Sequence, residues 1–78
     1  MLAGMDIRQI VATNIRKQRR AKGLSQEALA WDAGVNRSHM AVIETGKSWV
    51  RLDIIEKLAA ALECEPYELL LPPKRGRR

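Results

Sequence analysis

The sequence predicts an all-α domain in which five short helices pack around one apolar core. Apolar residues recur at helical spacings of three and four along most of the chain, and no segment shows the alternation expected of a strand. A chain of 78 residues suits a single domain. Its residues are 46% apolar but include only two Trp, one Tyr and no Phe, so aliphatic side chains must fill the core.

The first helix is predicted from about Asp6 to Lys22. Its apolar positions recur at the required spacing and are Ile7, Ile10, Val11 and Ile15. Asp6 suits the positive N-terminal end of a helix, and the last turn is rich in cations that suit the negative end. Gly23 then permits the left-handed backbone that commonly ends a helix.

Two short helices follow, and only Val35 and Asn36 separate them. Ser25 is a good N-cap for the first of the two, which ends at Gly34. Asn36 is a good N-cap for the second, which extends to about Glu44. The positions expected to face the core are Leu29, Ala30, Ala33, Met40 and Ile43.

A fourth helix and a short fifth helix complete the predicted bundle. The fourth covers residues 52–62 and has an apolar stripe formed by Leu52, Ile55, Leu58, Ala59 and Leu62. Pro66 suits the first turn of the last helix, which Pro72 and Pro73 end. We assign residues 1–71 to the domain and expect the basic residues 72–78 to form a disordered tail.

Charge is distributed unevenly along the chain. Residues 1–51 hold nine basic and four acidic side chains, residues 52–71 hold one and five, and residues 72–78 hold four and none. A basic surface attracts the phosphates of nucleic acid, although many basic proteins never bind it. The acidic segment from Asp53 to Glu68 is expected to face away from such a partner.

The composition disfavours several functional classes. Cys64 is the single cysteine, so a disulfide framework or a zinc site of paired cysteines is excluded. The low cysteine content favours a cytoplasmic location. The thiol itself is expected to pack in the core. No run of about 18 apolar residues predicts a membrane span, and the first residues do not resemble a signal peptide. One His and one Cys without orienting partners do not make a catalytic site. We expect no enzymatic activity, no metal, no cofactor and no small-molecule substrate.

The two short central helices give the most specific pattern. Helices that cross steeply in a helix-turn-helix need a small residue at the crossing, and Ala30 is placed to supply it. Gly34 follows four residues later and accepts the positive φ that a tight turn requires. The residues that then hold the third helix of the chain on the core are Val35, Met40 and Ile43.

With these positions the sequence resembles the Xre family, the lambda-repressor-like domains that include phage repressors and Cro. The resemblance extends from about Ile10 to Leu70. It rests on Gly23-Leu24-Ser25-Gln26, Leu29-Ala30, Gly34-Val35, Ile43-Glu44, Gly46-Lys47 and Leu58-Ala59. It implies a five-helix domain whose third helix lies in the major groove. It also implies a homodimer that represses transcription at a two-fold DNA operator, with half-sites about 10 bp or a multiple of it apart.

The resemblance also implies roles for individual residues. Gln26 matches a phosphate-contacting glutamine of the family, and Asn36 matches the start of the recognition helix, where it is also expected to contact the DNA backbone. The positions that reach base edges are held by Arg37, Ser38 and Val42.

Two further positions of the family bear on the structure of the domain. Arg19 and Glu44 match a pair that bonds beneath the recognition helix, and we interpret them as structural. The family usually has Pro followed by Ser or Thr where this chain has Val50 and Arg51, so the fourth helix is expected to lack a strong cap.

Helical geometry agrees with the base-reading assignment. If Met40 and Ile43 face the core, the residues that face away from it are Arg37, Ser38, Ala41 and Val42. Arg37 can donate two hydrogen bonds to guanine, and Ala41 or Val42 can pack on a thymine methyl group. We predict a guanine in each half-site, contacted by Arg37.

Other residues are expected to contact the DNA backbone. The loop after the third helix offers the Gly46 N–H and the Lys47 cation, both suited to phosphate. The full supporting set is Lys17, Gly46, Lys47, Ser48 and Arg51. His39 on the third helix is a further candidate, and the alternative is that it makes no direct contact with DNA.

A dimer interface is expected at the end of the domain. Leu69, Leu70 and Leu71 are predicted to be exposed there and to form a self-complementary seam. Trp49 lies in a loop that is near the dimer axis in the family. Its side chain is therefore expected to contact the partner subunit or DNA, and the alternative is that it faces only solvent. Trp31 on the outer face of the second helix is a weaker candidate for an interface.

Two other readings stay open at this point. A domain of this fold can lose DNA binding and serve as a protein interaction module, although Arg37 and His39 on a helix without acidic residues before Glu44 argue against it. Phage-type repressors, antitoxin-type autoregulators and restriction-modification controllers share this architecture. The sequence does not separate these three classes.

Overall fold

The fold consists of four α-helices followed by one 3-10 turn, in a computed structural model that describes residues 5–73. The helices are α1 (Ile7–Ala21), α2 (Gln26–Ala33), α3 (Arg37–Glu44) and α4 (Leu52–Leu62), and the turn covers Pro66–Leu69. No strand is present in the described part of the chain, which confirms the all-α prediction. Residues 74–78 of the predicted tail lie outside the described residues.

The prediction of a fifth α-helix is wrong, because Pro66–Leu69 form only a four-residue 3-10 turn. Pro66 is the first residue of this turn, and Pro72 disfavours the helical conformation at Leu71. Too few residues remain between the two prolines for an α-helix to nucleate and extend.

Local hydrogen bonds set the starts of the first two helices. The Asp6 carboxylate accepts from the backbone N–H groups of Arg8 and Gln9 at 2.9 and 3.2 Å, and the Gln9 side chain accepts from the Asp6 N–H at 3.1 Å. This reciprocal arrangement is a capping box. Ser25 caps α2 by accepting from the Ala28 N–H at 3.0 Å.

The start of α4 lacks such a cap, as the sequence predicts. Arg51 occupies the N-cap position and makes no capping hydrogen bond with its side chain. Its guanidinium instead pairs with the Asp53 carboxylate at 3.1 Å. The first turn of α4 therefore depends on its packing rather than on a side-chain cap.

One core joins all four helices and the turn. Helix α2 packs against α3 and α4, while α1 lies against α3, α4 and the 3-10 turn. The largest fully buried side chains are Ile10, Ile15, Leu29, Met40, Ile43, Leu58 and Leu69. The prediction for Leu69 is wrong, because this residue was expected to be exposed in a dimer seam and its exposed fraction is 0%. The turn folds back onto α1 and α4, which places this leucine in the core.

A buried amide on α1 holds the end of the described chain in place. The Asn14 side-chain nitrogen donates to the backbone carbonyls of Leu69 and Leu71 at 3.0 and 2.6 Å. Asn14 is itself buried, so both carbonyls gain a partner that water could not easily supply. The 3-10 turn is thereby fixed to the first helix.

The apolar stripes predicted for α1 and α4 are correct except at their first residues. Ile7 is 42% exposed and Leu52 is 73% exposed, whereas the later stripe residues of both helices are buried. Each of the two begins its helix and lies beyond the edge of the core. The result is a pair of large apolar side chains on the surface.

Candidate nucleic-acid interface

The turn between α2 and α3 is built around Gly34. This residue has φ 69° and ψ 33°, the left-handed conformation that the sequence predicts for it. The Val35 N–H then donates to the Ala30 carbonyl at 2.9 Å, which closes the end of α2. Asn36 accepts from the His39 N–H at 3.2 Å and so caps α3. The third helix therefore starts immediately after a tight turn.

The two faces of α3 differ sharply in their surroundings. The inner face is buried and consists of Met40, Ile43 and Glu44. The outer face consists of the predicted base-reading residues, of which Arg37, Ser38 and Val42 are exposed and Ala41 is half-buried. Arg37 has no ion-pair partner among residues 5–73, so its five donors are available to an external acceptor.

The Glu44 carboxylate lies beneath α3 and joins three helices. Its two oxygens accept from Arg19 Nε at 2.7 Å and from Arg19 Nη2 at 3.0 Å. The Glu44 side chain is 4% exposed and that of Arg19 is 12% exposed. Arg19 also donates to the Leu24 carbonyl at 2.8 Å, just before α2 begins. A charged, bidentate pair of this kind fixes orientation more tightly than apolar contact alone.

Gln26 takes part in this arrangement. Its side-chain nitrogen donates to Glu44 Oε1 at 3.1 Å, and the residue is half-buried at the first position of α2. One of its two N–H donors is therefore committed inside the domain, and the other remains for a phosphate. The predicted phosphate contact of Gln26 stays a prediction.

Arg16 also contacts the end of α3, a role that was not predicted from the sequence. Its guanidinium donates to the Glu44 backbone carbonyl and lies 3.4 Å from the Thr13 hydroxyl. This contact satisfies one of the carbonyls that the end of a helix leaves without an intrahelical partner. The three-residue spacing between Arg16 and Arg19 placed both on one face of α1 and was the available signal.

The loop after α3 requires one correction. Gly46 was expected to offer its N–H to phosphate, but that N–H donates to the Ile43 carbonyl at 3.2 Å and the residue is buried. Its φ is 78°, and a side chain built on it would lie 3.6 Å from Gln9 on α1. Gly46 therefore brings the loop onto α1, and it is not exposed to DNA. Lys47 remains exposed beside it.

The other predicted backbone contacts are not all gathered in one place. Ser48 is half-buried and its hydroxyl donates to the Trp49 carbonyl at 3.2 Å, while Arg51 is exposed at the start of α4. His39 is half-buried on the flank of α3. Lys17 lines a different surface, a shallow pocket that it shares with Pro72 and Pro73. Lys17 therefore lies apart from the loop that carries Lys47.

Trp49 contacts a residue that the sequence analysis did not single out. The Arg8 guanidinium carbon lies 4.7 Å from the centre of the Trp49 ring, a cation–π contact between α1 and the α3–α4 loop. Trp49 is nonetheless 69% exposed. Leu70, also predicted for the dimer interface, is half-buried against the core. Trp31 is highly exposed on α2.

No other chemistry is evident in the described part of the chain. Among residues 5–73 no cluster of three His, Cys, Asp or Glu could hold a metal ion. None of their helices has the length and apolar character needed to cross a membrane. Cys64 is half-buried against the core, and burial, with the nearby Glu68 and Glu65, raises the pKa of its thiol. A thiol with a raised pKa is a poor nucleophile.

Two short helices crossing at a left-handed glycine, with a polar face presented by the second helix, define a helix-turn-helix DNA-binding domain. The model of the HTH_3 helix-turn-helix family matches residues 15–69. The chain belongs to this family, and its domain is a DNA-binding helix-turn-helix of the Xre, lambda-repressor-like type. The resemblance stated from the sequence is thereby confirmed.

Known proteins that are similar to the chain agree with this class. A hypothetical transcription factor of Neisseria meningitidis is 44% identical over 69 residues, which are 88% of this chain and 65% of that protein. The chain thus spans less than two thirds of that relative. The crystal structure of the Neisseria factor NHTF superposes with a TM-score of 0.84 at 44% identity, covering 87% of this chain and 78% of that one.

Two restriction-modification controllers are also similar. The control protein C.BamHI of Bacillus amyloliquefaciens is 38% identical over 66 residues, which are 83% of this chain and 82% of that protein. The crystal structure of the controller C.AhdI from Aeromonas hydrophila superposes with a TM-score of 0.76 at 45% identity, covering 80% of this chain and 94% of that one.

Proposed function

We propose that the chain acts as a homodimeric repressor that recognises a two-fold operator through the exposed face of α3. The observation that carries this proposal is the contrast between the two faces of that helix. Its inner face is fixed by the core and by Glu44, while Arg37, Ser38 and Val42 are exposed on the outer face. Side chains held on a rigid helix can be aligned with base edges at little entropic cost.

Base contacts and phosphate contacts come from different residues in this proposal. Arg37 donates two hydrogen bonds to guanine O6 and N7, and Val42 packs on a thymine methyl group. Lys47 and the free N–H of Gln26 contact phosphates on either side of the groove. The phosphate contacts supply most of the affinity, and the α3 side chains supply most of the discrimination between sequences.

The similarity to controllers favours a second, more specific candidate within the same class. C.AhdI and C.BamHI are matched over most of their length, so the whole controller architecture corresponds to this chain. In that case the protein acts in the cytoplasm as a controller of a restriction-modification operon. The mode of DNA recognition is the same in both candidates.

The test is selection of bound duplexes from a random pool, followed by affinity measurements on the selected sequence. We expect two inverted half-sites about 10 bp apart or at a multiple of that spacing, with a guanine in each. Arg37→Ala should cost about 1–3 kcal/mol per half-site and relax the preference at that guanine.

Lys47→Ala is the matched control, because it removes a cation from the same surface without touching a base. It should weaken binding to all sequences alike and reduce the salt dependence by about one phosphate contact. If Arg37→Ala has the same uniform effect, Arg37 is a phosphate contact and the base-reading role is wrong. Failure to enrich any duplex at low salt would support the protein interaction module instead.

A further inference from the structure

A cleft lies between α1 and the start of the α3–α4 loop, and no role proposed above uses it. Its volume is about 290 Å³. Its polar lining comes from Gln9, Thr13 and Arg16 on α1 and from Thr45 at the end of α3, and we call it the Gln9–Arg16 cleft. No acidic side chain lines it in the part of the chain that the structure describes. A cleft with a cation and several hydrogen-bonding groups but no carboxylate suits an anion.

Arg16 supplies the charge of the cleft. The residue is half-buried and makes no ion pair among residues 5–73. One of its N–H groups donates to the Glu44 backbone carbonyl, and its Nη2 lies 3.4 Å from the Thr13 hydroxyl. These contacts hold the guanidinium in place but leave its positive charge without a counter-ion. An arginine that neutral partners already orient loses little conformational entropy when it binds an anion.

Two neutral donors line the cleft beside Arg16. The Gln9 side-chain carbonyl accepts from the Asp6 N–H at 3.1 Å, so the amide nitrogen of Gln9 is the end left for a ligand. The Thr13 hydroxyl accepts from Arg16 through the long contact and keeps its own proton to donate. Asp6 is the acid nearest in sequence, but it does not line the cleft and its carboxylate is paired with Arg8 at 2.8 Å.

The loop side of the cleft is rigid and already satisfied. The Thr45 hydroxyl donates to the Val42 carbonyl at 2.6 Å and accepts from the Lys47 N–H at 3.2 Å, so it is committed within the loop. Gly46 brings this loop onto α1, where a side chain built on it would lie 3.6 Å from Gln9. Lys47 follows directly and is exposed. The cleft therefore adjoins a loop that carries a second cation.

The cleft lies at the C-terminal end of α3, and Arg37 lies at the opposite end of that helix. The eight residues of α3 span about 12 Å, which equals the width of the DNA major groove, also about 12 Å. When Arg37 reaches base edges, the other end of the helix comes to the wall of the groove, where phosphates lie. The position of the cleft thus suits an anion of the DNA backbone.

We propose that the Gln9–Arg16 cleft binds a phosphate group and that the DNA backbone beside the recognition site supplies it. The proposal rests on the operator function proposed above and adds to it a contact made by α1. Arg16 donates charged hydrogen bonds to the phosphate, and Gln9 and Thr13 donate to its remaining oxygens. The volume of about 290 Å³ holds a phosphodiester and bridging waters, since one water takes about 30 Å³. Free inorganic phosphate has the same chemistry, so the test separates the two sources.

The test adds one negative charge to the cleft and, separately, one elsewhere on the same helix. Gln9→Glu keeps the capping box, which accepts either residue, and places a carboxylate beside the bound phosphate. Gln18→Glu is the matched control, because Gln18 lines the separate pocket next to Lys17. On the duplex selected by the wild-type chain, Gln9→Glu should weaken binding at least about tenfold more than Gln18→Glu does. It should also reduce the salt dependence by about one phosphate contact.

Circular dichroism checks that both variants fold, and a neutral change provides a second route. Thr13→Val removes one donor from the cleft, keeps the shape of the side chain and adds no charge. If Gln9→Glu does not fold, Thr13→Val takes its place and should weaken binding at least about threefold. Unchanged affinity of the folded variant used would overturn the proposal.

Neutral phosphates in the duplex locate the contact. In a set of duplexes that each carry one methylphosphonate, a single position per half-site should weaken wild-type binding and remove the difference between wild type and Gln9→Glu. That position is the phosphate in the cleft. If the difference persists in every duplex, the added carboxylate acts through the general field of the protein and the proposal is wrong.

Inorganic phosphate separates the two sources of the ligand. Titrated into the free chain, it should shift the amide NMR signals of Thr13 and Arg16 with a dissociation constant of about 1 mM or weaker, as expected of one small contact. Sodium chloride at equal ionic strength controls for screening. Saturation at micromolar phosphate, with no sensitive position among the methylphosphonate duplexes, would mean that the cleft holds a free ion. That result would overturn the assignment to DNA.

The outcomes also separate this proposal from the operator function. If the wild-type chain selects an operator and Gln9→Glu binds it as Gln18→Glu does, the cleft makes no phosphate contact and the operator function stands. If the wild-type chain selects no duplex, the operator function fails. The phosphate titration then decides by itself whether the cleft binds phosphate.

Discussion

Two ion pairs connect the end of α1 to distant parts of the chain, and they differ in burial. Arg19 and Glu44 tie α1 to α3, with side chains 12% and 4% exposed. Lys22 and Glu63 tie α1 to the end of α4, with side chains 33% and 75% exposed. The first pair is supported by Gln26 as well. Burial and additional hydrogen bonds, rather than opposite charge, decide which pair positions a helix.

The largest effect should follow from breaking the buried pair. Glu44→Ala leaves the Arg19 guanidinium without its carboxylate in a desolvated place, and we expect a loss of about 3–5 kcal/mol in the free energy of unfolding. Urea denaturation monitored by circular dichroism measures this value. Arg37→Ala on the opposite face of α3 is the control and should stay within about 0.5 kcal/mol of wild type. Equal losses in both variants would contradict a special role for the buried pair.

An intermediate effect is expected from the neutral partner of the buried pair. Gln26→Ala removes one hydrogen bond to Glu44 while the Arg19 contacts remain, so the free energy of unfolding should fall by about 1 kcal/mol. The same variant should weaken DNA binding beyond this loss if the remaining N–H contacts phosphate. If the free energy of unfolding falls by about 1 kcal/mol but the folded variant binds DNA with unchanged affinity, Gln26 is purely structural.

The smallest effect belongs to the exposed pair, and it should depend on pH. The hydrogen bond from Lys22 and then its charge lower the pKa of Glu63 below its ordinary value of 4.5. A carboxylate whose pKa is lowered by folding contributes stability above its unfolded pKa, and this contribution is lost as the pH falls through the folded pKa. Unfolding measured at acidic pH should therefore show a shallower decline for Glu63→Gln than for wild type, and added salt should reduce the difference.

The same position allows a sharper comparison, because Glu63 has a positive φ of 58° as the C-cap of α4. Non-glycine residues pay a steric cost in that region. We expect Glu63→Gly to raise the free energy of unfolding, since relief of strain should outweigh an exposed ion pair. Thermal denaturation of this variant beside Lys22→Ala, which removes only the pair, measures the two contributions separately. A destabilised Glu63→Gly would show that the exposed pair matters more than its solvation suggests.

Features that depend on neighbouring residues were predictable from the sequence. Asp6, Ser25 and Asn36 cap their helices through bonds to N–H groups no more than three residues away. The left-handed conformation of Gly34 is equally local. For these reasons the approximate bounds of α1 to α4 followed from the sequence pattern.

Apart from the Arg19–Glu44 pair, which the family resemblance implied, features that depend on distant contacts were not predicted. The apolar stripes did not reveal that Ile7 and Leu52 lie beyond the core, because helical spacing says nothing about where a core ends. Gln26 finds its partner 18 residues away. Leu69 is buried because the 3-10 turn folds back onto α1, an arrangement in which Asn14 provides the hydrogen bonds. Tertiary packing decided each of these cases.

The amide of Asn14 has a consequence for how the domain comes apart. Two carbonyl groups near the C-terminal side of the fold accept from the same side-chain amide nitrogen on the first helix, so we expect these sequence-distant parts of the domain to melt together instead of fraying separately. A series of progressive C-terminal deletions should accordingly show an abrupt failure once Leu69 is removed. Amide hydrogen exchange in the first helix should accelerate at the same step.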